Sequence, residues 1–186
     1  MSMTITIQDT GIPDVKLIEP RVFADTRGYF MEAWNERDLT QALGRTVAFV
    51  QDNQSCSRKG VVRGLHYQRP PFAQAKLVRC LSGAIFDVAV DVRASSPTFG
   101  QWVGVELSAE NKRQLWIPEG FAHGFVALTE TAEVFYKTNA YWHPEAEVAI
   151  CWNDDQLAIQ WPVTTPTCLS EKDQRAVSWC VAPRFD

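Results

Sequence analysis

This sequence has few histidines and lacks the short His and Cys spacings that are typical of metal sites. Its 186 residues include three histidines, His66, His123 and His143, and none stands in an H-x-H or H-x-x-x-H pattern. The five cysteines are scattered, odd in number and contain no C-x-x-C pair. Transition-metal sites usually need three or four such ligands, often at short spacings. We therefore expect no metal site, and reduced thiols rather than a disulfide framework.

Long apolar runs and an excess of basic charge are also missing. No stretch approaches the roughly 18 apolar residues that cross a bilayer. The first residues, MSMTITIQDT, lack the basic start and apolar run of a secretory signal. The net charge of −4 and the pI of about 5.4 disfavour a nucleic-acid-binding surface, although they allow a small anionic ligand. We expect a cytoplasmic protein with no membrane or nucleic-acid partner.

The composition and the turn residues predict a single all-β domain over residues 1–186. Hydrophobic residues make up 46% and charged residues 22% of the chain, as in globular proteins. Short runs with strand character alternate with Gly, Pro, Asn and Asp, which is typical of a sandwich or barrel. The strand candidates are 47–54, 61–68, 75–81, 84–93, 102–107, 114–117, 124–128, 134–139 and 148–151.

The clearest of these strands, 84–93, raises a question about one acidic residue. Phe86 and Val88 alternate with Asp87, as they would in a half-buried strand. If the Phe86 face fills the core, Asp87 faces solvent, and the sequence favours this arrangement. The alternative is a wet interior that the Asp87 face lines.

Two short peripheral helices are predicted from their capping residues. Asn35 can cap a helix that ends at Gly44. Ser170 can cap a second helix over 171–177, with an acidic residue three positions later.

The segment 60–76, GVVRGLHYQRPPFAQAK, brings three reactive side chains together around a Pro-Pro turn. Arg63 suits a phosphate, His66 exchanges protons near neutral pH, and Lys76 can stabilise a developing negative charge. Proton abstraction beside a carbonyl uses such a set; a surface hairpin with ordinary polar residues is the alternative. Arg63 and His66 are three residues apart and would face opposite sides of a regular strand, but a bulge at Gly64 would bring them together.

Seven motifs between about residues 23 and 173 are informative together. They are FADTRGYFMEAWN (23–35), QDNQSCSRKGVVRGLHYQ (51–68), KLVRCLSGAIFDVAVDVRASSPTFG (76–100), LWIPEGFAHGF (115–125), VFYK (134–137), WNDDQLAIQWP (152–162) and LSEKD (169–173). Through these motifs the chain resembles the dTDP-4-dehydrorhamnose 3,5-epimerase family. The resemblance implies a cupin-like jelly-roll β-barrel that works as a homodimer without a metal.

The resemblance also implies four catalytic roles. His66 would be the base that removes protons from the carbons beside the 4-keto group of a sugar. Asp173 would hydrogen-bond His66 and stabilise its cationic form. Tyr136 would return a proton on the opposite face, and Lys76 would stabilise the enolate oxygen. Without the resemblance, Asp173 is an ordinary first-turn helix acid and Tyr136 a half-buried strand residue.

The remaining site residues follow from the same resemblance. Cations expected at the diphosphate are Arg27, Arg63 and Lys172. Residues expected near the sugar are Gln51, Asn53 and His123. Residues expected beside the thymine ring are Tyr141 and Trp142, and the tryptophan would take a place that the family often gives to tyrosine. Residues that a homodimer would lend to the neighbouring site are Arg27, Phe30 and Glu32.

The sequence therefore predicts an isomerase that inverts C3 and C5 of a dTDP-4-keto-6-deoxy-hexose, taking dTDP-4-dehydro-6-deoxyglucose to dTDP-4-dehydrorhamnose. No redox cofactor is needed, and no dinucleotide-binding glycine fingerprint is present. A single-carbon epimerase and a ketoisomerase are alternatives, and Tyr136 beside His66 and Asp173 favours an epimerase. A non-catalytic sugar-nucleotide-binding barrel is less favoured, because the base and its partner are both present.

Overall fold

The strands form two antiparallel sheets and a separate hairpin in the structure, a computed structural model that describes residues 4–185. The six-stranded sheet has the order β1 (Ile5–Asp9), β2 (Lys16–Pro20), β10 (Gln114–Ile117), β7 (Lys76–Ser82), β12 (Thr131–Thr138) and β5 (Gln51–Arg58). The five-stranded sheet has the order β13 (Glu147–Ala149), β6 (Val62–Gln68), β11 (Phe121–Ala127), β8 (Ala84–Asp91) and β9 (Trp102–Ser108). The hairpin consists of β3 (Val22–Asp25) and β4 (Gly28–Met31).

The predicted all-β jelly roll with short peripheral helices is confirmed. Each strand expected from the sequence is present, β10 with the expected ends and the others with one or both ends shifted by one to four residues, whereas β1 to β4 were not predicted. Helix α1 (Glu36–Leu43) begins after the Asn35 cap, which accepts from the backbone of the first turn, and ends at Gly44 with a φ of 67°. Helix α2 (Glu171–Gln174) is shorter than predicted, because Val177 leaves it to form a β-bridge with Ile150.

The main core fills the space between the two sheets. Strands β8 and β11 of one sheet supply Ile85, Phe121 and Phe125, and strands β7 and β12 of the other supply Val78 and Val134. Fully burying a side chain of this size stabilises the fold by about 1.5–3 kcal/mol. The apolar contacts between the sheets therefore hold the strands that carry the site residues described below.

A second core lies on the outer face of the five-stranded sheet and corrects the prediction for Asp87. Val88 and Val90 face this second core, where the C-terminal region covers them with Leu157 and Trp179. Strand β8 is therefore buried on both faces, and the Asp87 face points between the sheets. Asp87 is 0% exposed. The prediction of a solvent-facing Asp87 is wrong because it assumed that only one face of the strand was covered.

Candidate active site

A cavity of about 710 Å³ lies between the two sheets and is lined by strands of both. Its size is within the range of cavities that bind small molecules. Ten of the residues predicted for the site line it: Gln51, Asn53, Arg63, His66, Lys76, His123, Tyr136, Trp142, Lys172 and Asp173.

A bulge in β6 places Arg63 and His66 on the same face of the sheet. His66 pairs with His123 and Arg63 pairs with Phe125, so three steps along β6 match two along β11. Gly64 lies within the bulge with a φ of 106°, which favours glycine. The bulge at Gly64, which the sequence required if Arg63 and His66 were to face one cavity, is therefore present.

His66 and Asp173 form a hydrogen-bonded pair at the cavity wall. The Nε2 atom of His66 lies 2.5 Å from Oδ1 of Asp173, and the hydroxyl of Ser170 donates to the other carboxylate oxygen over 2.8 Å. Burial favours a higher pKa for Asp173, but the contacts with His66 and Ser170 and the charge of Lys172 together outweigh it and hold that pKa below its ordinary value. The pair presents a charged acceptor to the imidazole, and the Nδ1 atom of His66 is the ring nitrogen left for a ligand.

Lys76 and Tyr136 lie deeper in the same cavity, on adjacent strands of the six-stranded sheet. The Nζ atom of Lys76 is 5.9 Å from the centroid of the Tyr136 ring. Burial lowers the pKa of Lys76 to about 8, while Glu147 and Asp87 act in the opposite direction. Burial raises the pKa of Tyr136, so its phenol keeps its proton at neutral pH. The two side chains can therefore stabilise an oxyanion and donate a proton.

His123 has a carboxylate partner that was not predicted as a site residue. Its Nε2 atom lies 2.7 Å from Oδ1 of Asp87, and both side chains are buried. Burial lowers the pKa of His123, and the neighbouring Asp87 offsets only part of this effect. The alternation of residues in β8 was the only sequence signal for Asp87, and it did not show which face lines the interior.

Trp142 stands at the rim of the cavity and is fixed by two polar contacts, one from its backbone and one from its indole. Its backbone N–H donates to Oε1 of Gln51 over 3.1 Å, and its Nε1–H donates to Oε2 of Glu147 over 3.3 Å. Glu147 also accepts from Nζ of Lys172 over 2.8 Å. Glu147 lines the cavity but was missed, because nothing in its local sequence separates it from a surface acid.

Gln68 holds the backbone on both sides of Trp142. Its Nε2 donates to the carbonyl oxygens of Phe72 and Tyr141, at 2.6 and 3.1 Å, and its Oε1 accepts from the N–H of His143 over 2.7 Å. Gln68 is 3% exposed and lies outside the cavity lining. Sequence reasoning placed Gln68 in a strand and missed these contacts, since they depend on a loop far along the chain.

The other predicted site residues lie away from the cavity of their own chain. Tyr141 points outward next to Trp142. Arg27 pairs with Asp25 at the tip of the β3–β4 hairpin, and Phe30 on that hairpin is 67% exposed. Glu32, just beyond the hairpin, accepts from the side chain of Asn35 over 3.3 Å.

Within residues 4–185, no group of three or more His, Cys, Asp or Glu side chains is arranged to hold a metal ion. Among the same residues, no helix has the length and apolar character needed to cross a membrane.

Comparisons with known proteins agree on one family. The family model for dTDP-4-dehydrorhamnose 3,5-epimerase matches residues 9–180. The dTDP-4-dehydrorhamnose 3,5-epimerase of Escherichia coli K12 is 58% identical over 166 residues, which are 89% of this chain and 90% of the relative. The enzyme of that name from Salmonella typhimurium is 59% identical over 174 residues, 94% of each chain.

Solved structures give the same result. The dTDP-6-deoxy-D-glucose-3,5-epimerase of Legionella pneumophila, in complex with dTDP-4-keto-L-rhamnose, superposes with a TM-score of 0.93 at 50% identity over 98% of this chain and 99% of that one. A 3'-monoepimerase from Streptomyces bikiniensis, in complex with dTDP-quinovose, superposes with a TM-score of 0.86 at 34% identity over 91% and 86% of the two chains. The chain belongs to the dTDP-4-dehydrorhamnose 3,5-epimerase family.

Proposed function

We propose that this protein inverts C3 and C5 of a dTDP-4-keto-6-deoxy-hexose, converting dTDP-4-dehydro-6-deoxyglucose to dTDP-4-dehydrorhamnose. The observation that carries the proposal is the hydrogen-bonded pair of His66 and Asp173 in one cavity with Lys76 and Tyr136. These residues are the base, the acid and the oxyanion partner that the reaction requires. The high identity to 3,5-epimerases over most of the chain supports the same reaction.

The reaction uses the acidity of carbon atoms next to a ketone. Nδ1 of His66 takes the proton from C3 or C5, and Asp173 stabilises the imidazolium that forms. The electron pair moves to the ketone oxygen, where the ammonium group of Lys76 stabilises the enolate. Tyr136 then gives its proton to the carbon from the opposite face, and exchange with water resets both groups before the second carbon reacts.

The outer part of the cavity suits the nucleotide. Arg63 and Lys172 supply positive charge for the diphosphate, and Trp142 supplies a flat aromatic face for thymine at the rim. Arg63 is held by its own hydrogen bonds to the hydroxyl of Ser57, over 2.9 Å, and to the carbonyl of Cys56, over 3.2 Å. Gln51, Asn53 and His123 line the same cavity, where they can contact the sugar.

We further infer a homodimer in which the β3–β4 hairpin reaches the neighbouring cavity with Arg27, Phe30 and Glu32. Support comes from the apolar side chains that the hairpin leaves exposed, including Phe23 and Tyr29. Residues 1–186 would form a single cytoplasmic epimerase domain. Sedimentation equilibrium tests the dimer, and a monomer that keeps full activity would contradict the sharing of these residues.

The experiment that tests the reaction is NMR of dTDP-4-dehydro-6-deoxyglucose incubated with the protein in heavy water. Deuterium at both C3 and C5, with the rhamno configuration in the product, is the expected result. Deuterium at only one carbon would identify a single-carbon epimerase, the activity for which the similar Streptomyces bikiniensis protein is named. Binding of dTDP without any exchange would identify a non-catalytic binding protein.

A further inference from the structure

Asp87 is a buried carboxylate that neither of the two cores explains. It is 0% exposed, and it shares the interior face of β8 with the apolar residues Ile85 and Ala89. Burying a carboxylate among such residues is costly unless its oxygens are hydrogen-bonded. Oδ1 has His123 as its partner, whereas Oδ2 is buried with no hydrogen-bond partner among residues 4–185. An apolar residue at this position would pack without that cost, so the carboxylate has a role other than stability.

The contact with Asp87 determines which nitrogen of His123 remains for a ligand. His123 lines the cavity, while Asp87 lies behind it and does not. The Nε2 atom of His123 is 2.7 Å from the carboxylate, and no described residue hydrogen-bonds its Nδ1 atom. A neutral imidazole has one N–H and one bare nitrogen, and a carboxylate selects the N–H for its own side. Nδ1 is then the bare nitrogen.

The surroundings of His123 keep its imidazole neutral at neutral pH. Burial lowers its pKa, the positive charge of Lys76 acts in the same direction, and Asp87 acts against both. A neutral ring with a bare Nδ1 accepts a hydrogen bond and cannot donate one from that atom. It therefore suits a sugar hydroxyl and does not suit a ketone oxygen.

We propose that Asp87 is a positioning residue for the epimerisation, which fixes His123 in the tautomer whose bare Nδ1 accepts a hydrogen bond from a sugar hydroxyl. The inference rests on the proposed function for the identity of the ligand. The tautomer itself can be measured without substrate, so the two can fail separately.

The first test is the ¹⁵N spectrum of histidine-labelled protein. The chain has three histidines, and comparison with His123→Asn assigns the signals of His123. In the free protein we expect the shift of a protonated Nε2 and a bare Nδ1. On adding dTDP-glucose, a sugar nucleotide without the 4-keto group, the Nδ1 signal should move as it accepts a hydrogen bond, whereas dTDP alone should leave it unchanged. A protonated Nδ1 in the free protein, or no response to dTDP-glucose, would overturn the proposal.

The second test is a double-mutant cycle with Asp87→Asn and His123→Ala. Asp87→Asn should lower kcat by about 10- to 100-fold, with the dTDP dissociation constant within about twofold of the wild type, because Asp87 acts through the sugar-facing imidazole. In the His123→Ala background, Asp87→Asn should lower kcat by less than about threefold. Equal losses in both backgrounds would assign Asp87 a purely structural role.

Asp91→Asn is the matched control. Asp91 is also buried on β8, but its carboxylate pairs with Arg93 away from the cavity. This variant should lose stability without altering the ¹⁵N shifts of His123. If Asp87→Asn fails to fold, the spectrum of the wild-type protein still decides the tautomer.

Discussion

Gly64 and Gly124 lie against each other across β6 and β11, with no room for a side chain on either. A Cβ atom on Gly64 would lie 2.6 Å from the Cα of Gly124, and a Cβ atom on Gly124 would lie 2.7 Å from the carbonyl oxygen of Arg63. This close approach lets β6 bulge between Arg63 and His66 while it stays paired with β11. The two glycines therefore determine whether Arg63 and His66 can share the cavity.

Gly64→Ala should destabilise the protein and reduce its activity. The added methyl group meets backbone atoms that cannot move aside, and the φ of 106° is unfavourable for alanine. We expect a loss of about 1–3 kcal/mol in the free energy of unfolding, measured in urea. Gly11→Ala is the control, since nothing lies within 4 Å of its added Cβ. Equal stability of the two variants would mean that the bulge tolerates a side chain.

The sequence predicted those parts of the fold and site that local patterns determine. The alternation of apolar and polar residues revealed most strands, and the capping residues Asn35 and Ser170 revealed the starts of both helices. The alternation did not reveal which faces of β8 are covered, because Val88 and Val90 pack on residues that follow more than sixty positions later, Leu157 and Trp179. The same limit applies to Asp87, whose partner is on another strand.

The family resemblance supplied the four proposed catalytic roles, and the structure adds residues around the cavity that the resemblance did not predict. Gln68 contacts the site through a loop that is distant in sequence, and Glu147 lines the cavity itself. Arg27, Phe30 and Glu32 lie outside the cavity of their own chain. Their proposed role depends on a second chain, which no pattern within one sequence describes.

His66→Ala and Arg63→Ala should affect different kinetic parameters. Loss of the base should lower kcat by about 10²- to 10⁴-fold and leave the dTDP dissociation constant nearly unchanged. Arg63→Ala should mainly weaken dTDP binding, since a charge-assisted phosphate contact is lost. Steady-state kinetics and calorimetric titration with dTDP separate the two effects. Equal losses of kcat and affinity in both variants would contradict the assigned roles.

Lys76→Met should stabilise the protein at neutral pH while it reduces catalysis. Burial lowers the pKa of Lys76 from 10.5 to about 8, so between these values the unfolded chain binds more protons than the folded one. The stability of the wild type should therefore rise with pH in this window relative to the variant, by on the order of 2–3 kcal/mol. Urea unfolding at several pH values measures the difference.

Lys76→Arg is the control for this pH dependence. Arginine keeps its charge throughout the window, so this variant should not gain stability relative to Lys76→Met as the pH rises. A wild-type curve parallel to both variants would show that the lysine is not desolvated as the geometry indicates.

Gln68→Ala should weaken nucleotide binding without affecting the chemical step. The change removes two hydrogen bonds to the backbone on either side of Trp142 and one to the carbonyl of Phe72, a loss of about 1–3 kcal/mol for the groups left unpaired. We expect a dTDP dissociation constant about tenfold higher, with kcat at saturation within about twofold. Gln54→Ala, on the exposed face of β5, should change neither. A fall in kcat with unchanged affinity would contradict the role assigned to Gln68.

Tyr136→Phe should separate proton abstraction from inversion. The substitution keeps the ring and its packing but removes the only proton donor of the side chain. His66 and Lys76 remain, so the enolate should still form and exchange with solvent, while return of the proton to the opposite face should be slowed far more. NMR in heavy water measures both rates, as deuterium incorporated into the starting sugar and as product formed.

The informative quantity for Tyr136→Phe is the ratio of these two rates. Tyr67→Phe is the control, because its hydroxyl bonds the carbonyl of Pro183 outside the cavity, and it should leave the ratio unchanged. A purely structural Tyr136 would make exchange and inversion fall together. Inversion at the wild-type rate in Tyr136→Phe would remove Tyr136 from the mechanism and assign the second proton to water or to another side chain.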